Sequence, residues 1–120
     1  MSKFSENIAP FVYEELTKAK QAEQSRDSIL AFSHLENAHI LAQEATCIHV
    51  KVHYLMLLWG VRQKSVREVW GQIIRLIGAA ALTKVKGVPI GNTGGSNVSS
   101  IKPMPIKKEL AEIITKAKNP

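Results

Sequence analysis

All four histidines and the one cysteine of this 120-residue chain fall between residues 34 and 53, in the stretch HLENAHILAQEATCIHVKVH. Neutral imidazole is the commonest side-chain ligand for first-row transition ions, and a carboxylate joined to two or three imidazoles is a frequent zinc or iron(II) shell. Spacing decides whether these groups can meet. On a helix turning about 100° per residue, Glu36, His39 and Gln43 share one strip, and so do His49, His53 and Met56. If the chain reverses near Ala45 and Thr46, His39 comes level with Val52 and His53, Gln43 with Ile48 and His49, and Glu36 with Leu55 and Met56. The expected ligand set is therefore Glu36, His39, His49 and His53, with Gln43 orienting a ring from behind. The ion such a set would take is a divalent transition metal: zinc, copper, nickel or iron.

Other residues of the stretch are excluded from that set. His34 lies on the arc of Leu30, Ala38 and Leu41, where a satisfied buried histidine is expected. Cys47 sits in the turn, too far along the hairpin from Glu36 to join one shell. Met56 stands among leucines and reads as core filler. Only one Glu-x-x-His motif is present, so the paired carboxylates of a dinuclear bundle site are missing.

The same strip supports a different class of function. Glu36 and His39 can form a local hydrogen-bonded pair, and His49 and His53 can cap the helix interface. The strip is then a structural polar network inside a non-catalytic protein-interaction module. Its basic half, with Arg62, Lys64 and Arg67, would dock an acidic protein. An enzyme ranks last: His49 and Cys47 stand two residues apart, with neither an oxyanion donor nor an orienting carboxylate in the pattern.

The elements that must position these residues are helical. Pro10 suits a first helical turn, and Phe11, Val12, Leu16, Ala19 and Ala22 follow as an apolar stripe, with Ile8 just upstream. Ser25 or Asp27 offers an N-cap for a second helix over 28–44, and a third fits 48–62. Ser65 and Glu68 have capping-box spacing. A fourth helix after them carries Val66, Val69, Trp70, Ile73, Ile74, Ile77, Ala80 and Ala81 on one face, which should be its buried face. Short connections favour antiparallel neighbours. The fold class is all-α: antiparallel helical hairpins or a four-helix bundle, followed by a Gly/Asn-rich C-terminal loop and a short final helix. One domain spans 1–120, with a helical core over 8–86, an extended loop over 87–105 and a terminal helix over 106–118.

Composition bounds the rest. An apolar content of 45% over this length is enough for one core. A single cysteine excludes an internal disulfide. The N-terminus lacks a secretory apolar run and no stretch is long enough to cross a bilayer, so a cytoplasmic protein without membrane partners is expected. Residues 1–60 carry a net −2 and residues 61–120 a net +8. The basic residues are dispersed and no aromatic residues interleave them, so nucleic acid is not the expected partner. Apolar helix faces leave a homo-oligomer or an unknown protein partner open.

The segment PIGNTGGSNVS, residues 89–99, resembles a phosphate loop only in its glycines. No Gly-Lys-Ser/Thr ending opens a helix there. Its glycines and asparagines supply turns with positive φ, and the loop could lie over one open end of the hairpin and keep water from the histidines. Taken in order, LENAHILAQ, HVKVHYLMLLWG, REVWGQIIRL, GVPIGNTGGSNVS and PMPI resemble a family of small bacterial proteins, domain of unknown function thirty-seven-oh-three, over about residues 11–110. The resemblance implies a one-domain helical protein with no established activity. It marks Glu36, His39, His49, His53, Gln72 and the Gly91-Asn92-Thr93-Gly94 turn as characteristic.

Overall fold

The first helix, α1 (Lys3–Gln24), begins about two turns earlier than the proline suggests. Ser2 caps it, its hydroxyl accepting the Ser5 N–H at 3.1 Å, and Pro10 lies inside the helix rather than in its first turn. An interior proline forfeits a backbone hydrogen bond and costs about 3 kcal/mol. That loss is offset by what the early turns bury: Ser5, Ile8 and Val12 are inside, and Asn7 donates its side-chain N–H to the Ala117 carbonyl at 3.0 Å. This computed structural model describes residues 2–82, 94–96 and 103–120.

Asp27 accepts the Leu30 N–H at 3.0 Å and opens α2 (Ser28–Ala42). After a turn through Ala45, α3 (Thr46–Arg62) runs back along it. Trp59 near the end of α3 stacks on Phe32 at 4.4 Å between ring centroids and donates its indole N–H to the Ser28 carbonyl, which sets the two helices antiparallel. Lys64, at φ +56°, then reverses the chain into α4 (Val66–Leu82). The last helix, α5 (Lys108–Lys118), packs on the α1–α2 hairpin, with Lys118 paired to Glu44 at 2.9 Å. Five helices and no strand occur among the described residues, so the all-α expectation holds.

The apolar core joins α1, α2, α3 and α5 through Ile8, Val12, Leu35, Leu41, Ile48, Val52, Met56 and Leu110. The fourth helix departs from expectation. Its apolar stripe does not face inward: Val66, Trp70, Ile74 and Ile77 are all exposed, and the residues it buries are Glu68 and Gln72. Among the described helices α4 packs chiefly on α3, and the inner side of that seam is polar. The Gly91-Asn92-Thr93 part of the turn lies outside the described residues; Gly94 lies within them.

Candidate metal centre

His39 sits three residues before the end of α2, and His49 and His53 lie on consecutive turns of α3. The antiparallel α2–α3 crossing brings all three rings together. The Nε2 atoms form a nearly equilateral triangle: His39 to His53 is 3.0 Å, His39 to His49 is 3.0 Å, and His49 to His53 is 3.1 Å. All three side chains are buried. His39 lies opposite His53, as the helical spacing implies, and His49 comes equally close to it rather than to Gln43.

The proton on one ring is assigned by its neighbours. The Gln72 amide donates to Glu68 Oε2 at 2.6 Å and to the Gly94 carbonyl at 2.7 Å. A carboxylate and a carbonyl only accept, so both amide protons are spent there and Oε1 faces His53. His53 Nδ1, 2.7 Å from that oxygen, must be the donor. Its Nε2 is therefore a lone pair aimed into the triangle. Glu68 is held in turn by Ser96, whose backbone N–H and hydroxyl both donate to it, at 3.2 and 2.9 Å. A chain of hydrogen bonds thus runs from Ser96 through Glu68 and Gln72 to His53, in the manner of the carboxylates and carbonyls that orient metal-bound imidazoles.

Burial keeps two of the rings neutral. Desolvation, followed by repulsion from His53, lowers the His49 pKa to about 3. For His53 desolvation again dominates, and its hydrogen bond to the Gln72 oxygen opposes it; the pKa falls to about 4. Both imidazoles are therefore deprotonated and available as ligands at neutral pH.

Neutral rings cannot satisfy this triangle by themselves. Each Nε2 is either a donor or an acceptor. In a ring of three, at least one edge must join two of the same kind. His49 Nδ1 has no hydrogen-bond partner among the described residues, so the proton of His49 is best placed on Nε2, where it donates to His53. His39 then faces a proton on one side and a lone pair on the other, and one of its two edges is repulsive whichever tautomer it takes. A cation between three lone pairs removes the conflict. Three nitrogens about 2.0–2.1 Å from a tetrahedral zinc stand about 3.3 Å apart, so the rings need open by only a few tenths of an ångström.

Residues 94–96 lie over the site. Gly94 adopts φ +87°, and a Cβ there would stand 2.6 Å from the His39 ring. A Cβ at Gly71 would stand 2.5 Å from Ser96 Cβ. Glycine at both positions lets the segment close on the rings from one side and on α4 from the other. The expected cover over the histidines is present in these three residues.

A family model described as protein of unknown function (DUF3703) matches residues 6–114. The chain belongs to that family. Neither the curated proteins nor the solved structures searched contain a match. Within this DUF3703 chain, Glu36 does not join the triangle: only His39, His49 and His53 have ligand atoms all within 4.8 Å of one another among the described residues. Gln43 is buried at the end of α2, lining a crevice against Ile114 and Lys118 of α5. The amide that orients His53 is Gln72. His34 stands apart, with Nδ1 2.7 Å from Glu15 Oε2. Cys47 is exposed and Met56 is core.

Spacing alone did not find Glu68 or Ser96, and Gln72 was marked only by the family resemblance. The capping-box reading of Glu68 is half met. Ser65 Oγ accepts its N–H at 3.2 Å, while its carboxylate turns inward to Gln72 and Ser96. The available signal was the i, i+4 pair Glu68 and Gln72, which share a strip opposite the apolar arc of the helix.

Proposed function

We propose that this protein binds one divalent transition metal ion through the Nε2 atoms of His39, His49 and His53, and serves in metal handling rather than catalysis. The observation that carries the reading is the triangle of buried nitrogens, which hydrogen bonding cannot satisfy. The donor set favours zinc, nickel, copper(II) or iron(II): three neutral imidazoles without thiolate or thioether. Gln72 and Glu68 would fix His53 as a ligand, and Gly94 to Ser96 would shield the ion. Water, or Glu36 after a change of rotamer, would complete the shell.

The interaction-module alternative draws less support from its charges. Arg62 is paired with Glu23, and Arg67 donates to the Ser96 carbonyl at 3.1 Å. Two of its three docking cations are thus already engaged.

The test is elemental analysis of protein purified without a histidine tag, followed by calorimetric titration of metal-stripped protein with zinc, nickel and copper(II). One equivalent bound, and lost in a His39→Ala, His53→Ala double variant, is the expected result. A folded wild-type chain that takes up none of these ions stoichiometrically would overturn the proposal.

A further inference from the structure

The outward face of α4 has no partner among the described residues. Val66, Trp70, Ile74 and Ile77 project from it at helical spacing, and Trp70 is 62% exposed. On a wheel at about 100° per residue these four fall within one arc of about 80°, and no charged residue shares it. On α3, Tyr54 and Val61 stand two turns apart and are also exposed. The two helices form an antiparallel hairpin, and each has one apolar arc directed away from the α1–α2 side.

We infer that this face pairs with the same face of a second copy, so that two α3–α4 hairpins complete a four-helix bundle about a two-fold axis. Area is the first argument. The six side chains are half to seven-tenths exposed; the two aromatic ones account for about 150–250 Å² each when fully exposed and the four aliphatic ones for somewhat less, so the face offers several hundred Å² per chain. A stable pair needs about 800 Å² per partner, which the rim of the hairpin can supply.

Charge is the second argument. An anionic lipid surface or an acidic helix would need free cations beside the stripe. Of the nearby cations among the described residues, Arg62 pairs with Glu23, Arg67 with the Ser96 carbonyl and Arg75 with the Gly71 carbonyl, and Lys51 lies over the Tyr13 ring, which leaves Lys64, exposed in the turn before α4, as a single cation at one end of the stripe. What remains on the arc is uncharged, and an uncharged stripe on a straight helix is complementary to itself.

The experiment is sedimentation velocity on the full chain from about 1 to 200 µM, for wild type, Trp70→Glu and Ile77→Glu, alongside flotation with phosphatidylglycerol vesicles. Helix content by circular dichroism checks folding, which exposed positions should leave unchanged. The expected result is a species of twice the 13.3 kDa chain mass for wild type, a dissociation constant raised at least 100-fold in either variant, and no flotation. A wild-type monomer throughout the range overturns the inference, with or without flotation. So does a dimer that neither glutamate weakens. Metal content does not enter these readouts, so the result is independent of the proposal for the histidines.

Discussion

Helix α2 carries two histidines five residues apart, and they meet opposite fates. His34 faces α1, where Glu15 receives its Nδ1 at 2.7 Å and Asn37 donates to the same carboxylate at 3.3 Å. His39 faces α3, where its near neighbours include two more imidazoles. One ring has a partner of opposite character; the other belongs to a set in which donors and acceptors cannot be balanced. The contrast teaches that burial of a histidine is not by itself a sign of a site. What marks a site is a buried group whose own protein cannot complete it.

The largest effect expected from this contrast is on metal affinity. Replacing His39 or His53 with alanine should weaken ion binding by at least about 100-fold, read by titration calorimetry. Binding unchanged in both variants would erase the distinction between the two regions.

Acid should come next. His49 and His53 have native pKa values depressed from 6.5 to about 3 and 4. In that interval the unfolded chain binds more protons than the native one. Their contribution is therefore fully present above about pH 6.5 and is lost as pH falls through the native values. Thermal melts of metal-stripped protein between pH 7 and 4 should show a steady fall, shallower in a His49→Gln, His53→Gln double variant. A bound ion should protect against this loss, because protons and metal compete for the same lone pairs.

The orienting chain should have a smaller effect. Gln72→Leu removes the acceptor at His53 Nδ1 and should lower metal affinity about 10- to 100-fold. A structural spacer without that role would show lowered stability and unchanged affinity. Gly94→Ala should cost about 1–3 kcal/mol by chemical denaturation, since it adds a side chain at positive φ against the His39 ring. The smallest effect belongs to the other region. His34→Gln should change stability by no more than about 1 kcal/mol and leave metal affinity untouched.

Much of this architecture was legible in the residues. The Asp27 cap, the turn near Ala45 and the i, i+4 pair His49 and His53 place the rings opposite one another with no knowledge of the tertiary fold, because both helices are regular and the connection is short. Two things were not legible. Glu36 shares a strip with His39, but a strip fixes an angle about the helix and not how far a side chain reaches across to its neighbour. The orientation of α4 departs from expectation because periodicity shows that one face is apolar without saying which side is inward. Here Glu68 and Gln72 point inward because they are needed by His53, Ser96 and Gly94, partners that come from elsewhere in the sequence.

The triangle joins two helices that are already neighbours along the chain, with His39 and His49 only ten positions apart. Closing so short a loop removes little freedom from an unfolded polypeptide, and the hydrophobic interior beside it is assembled independently from α1, α2, α3 and α5. An ion held there would act as a guest of a finished building and not as its keystone, so the proposed cargo could be loaded and surrendered without the host coming apart.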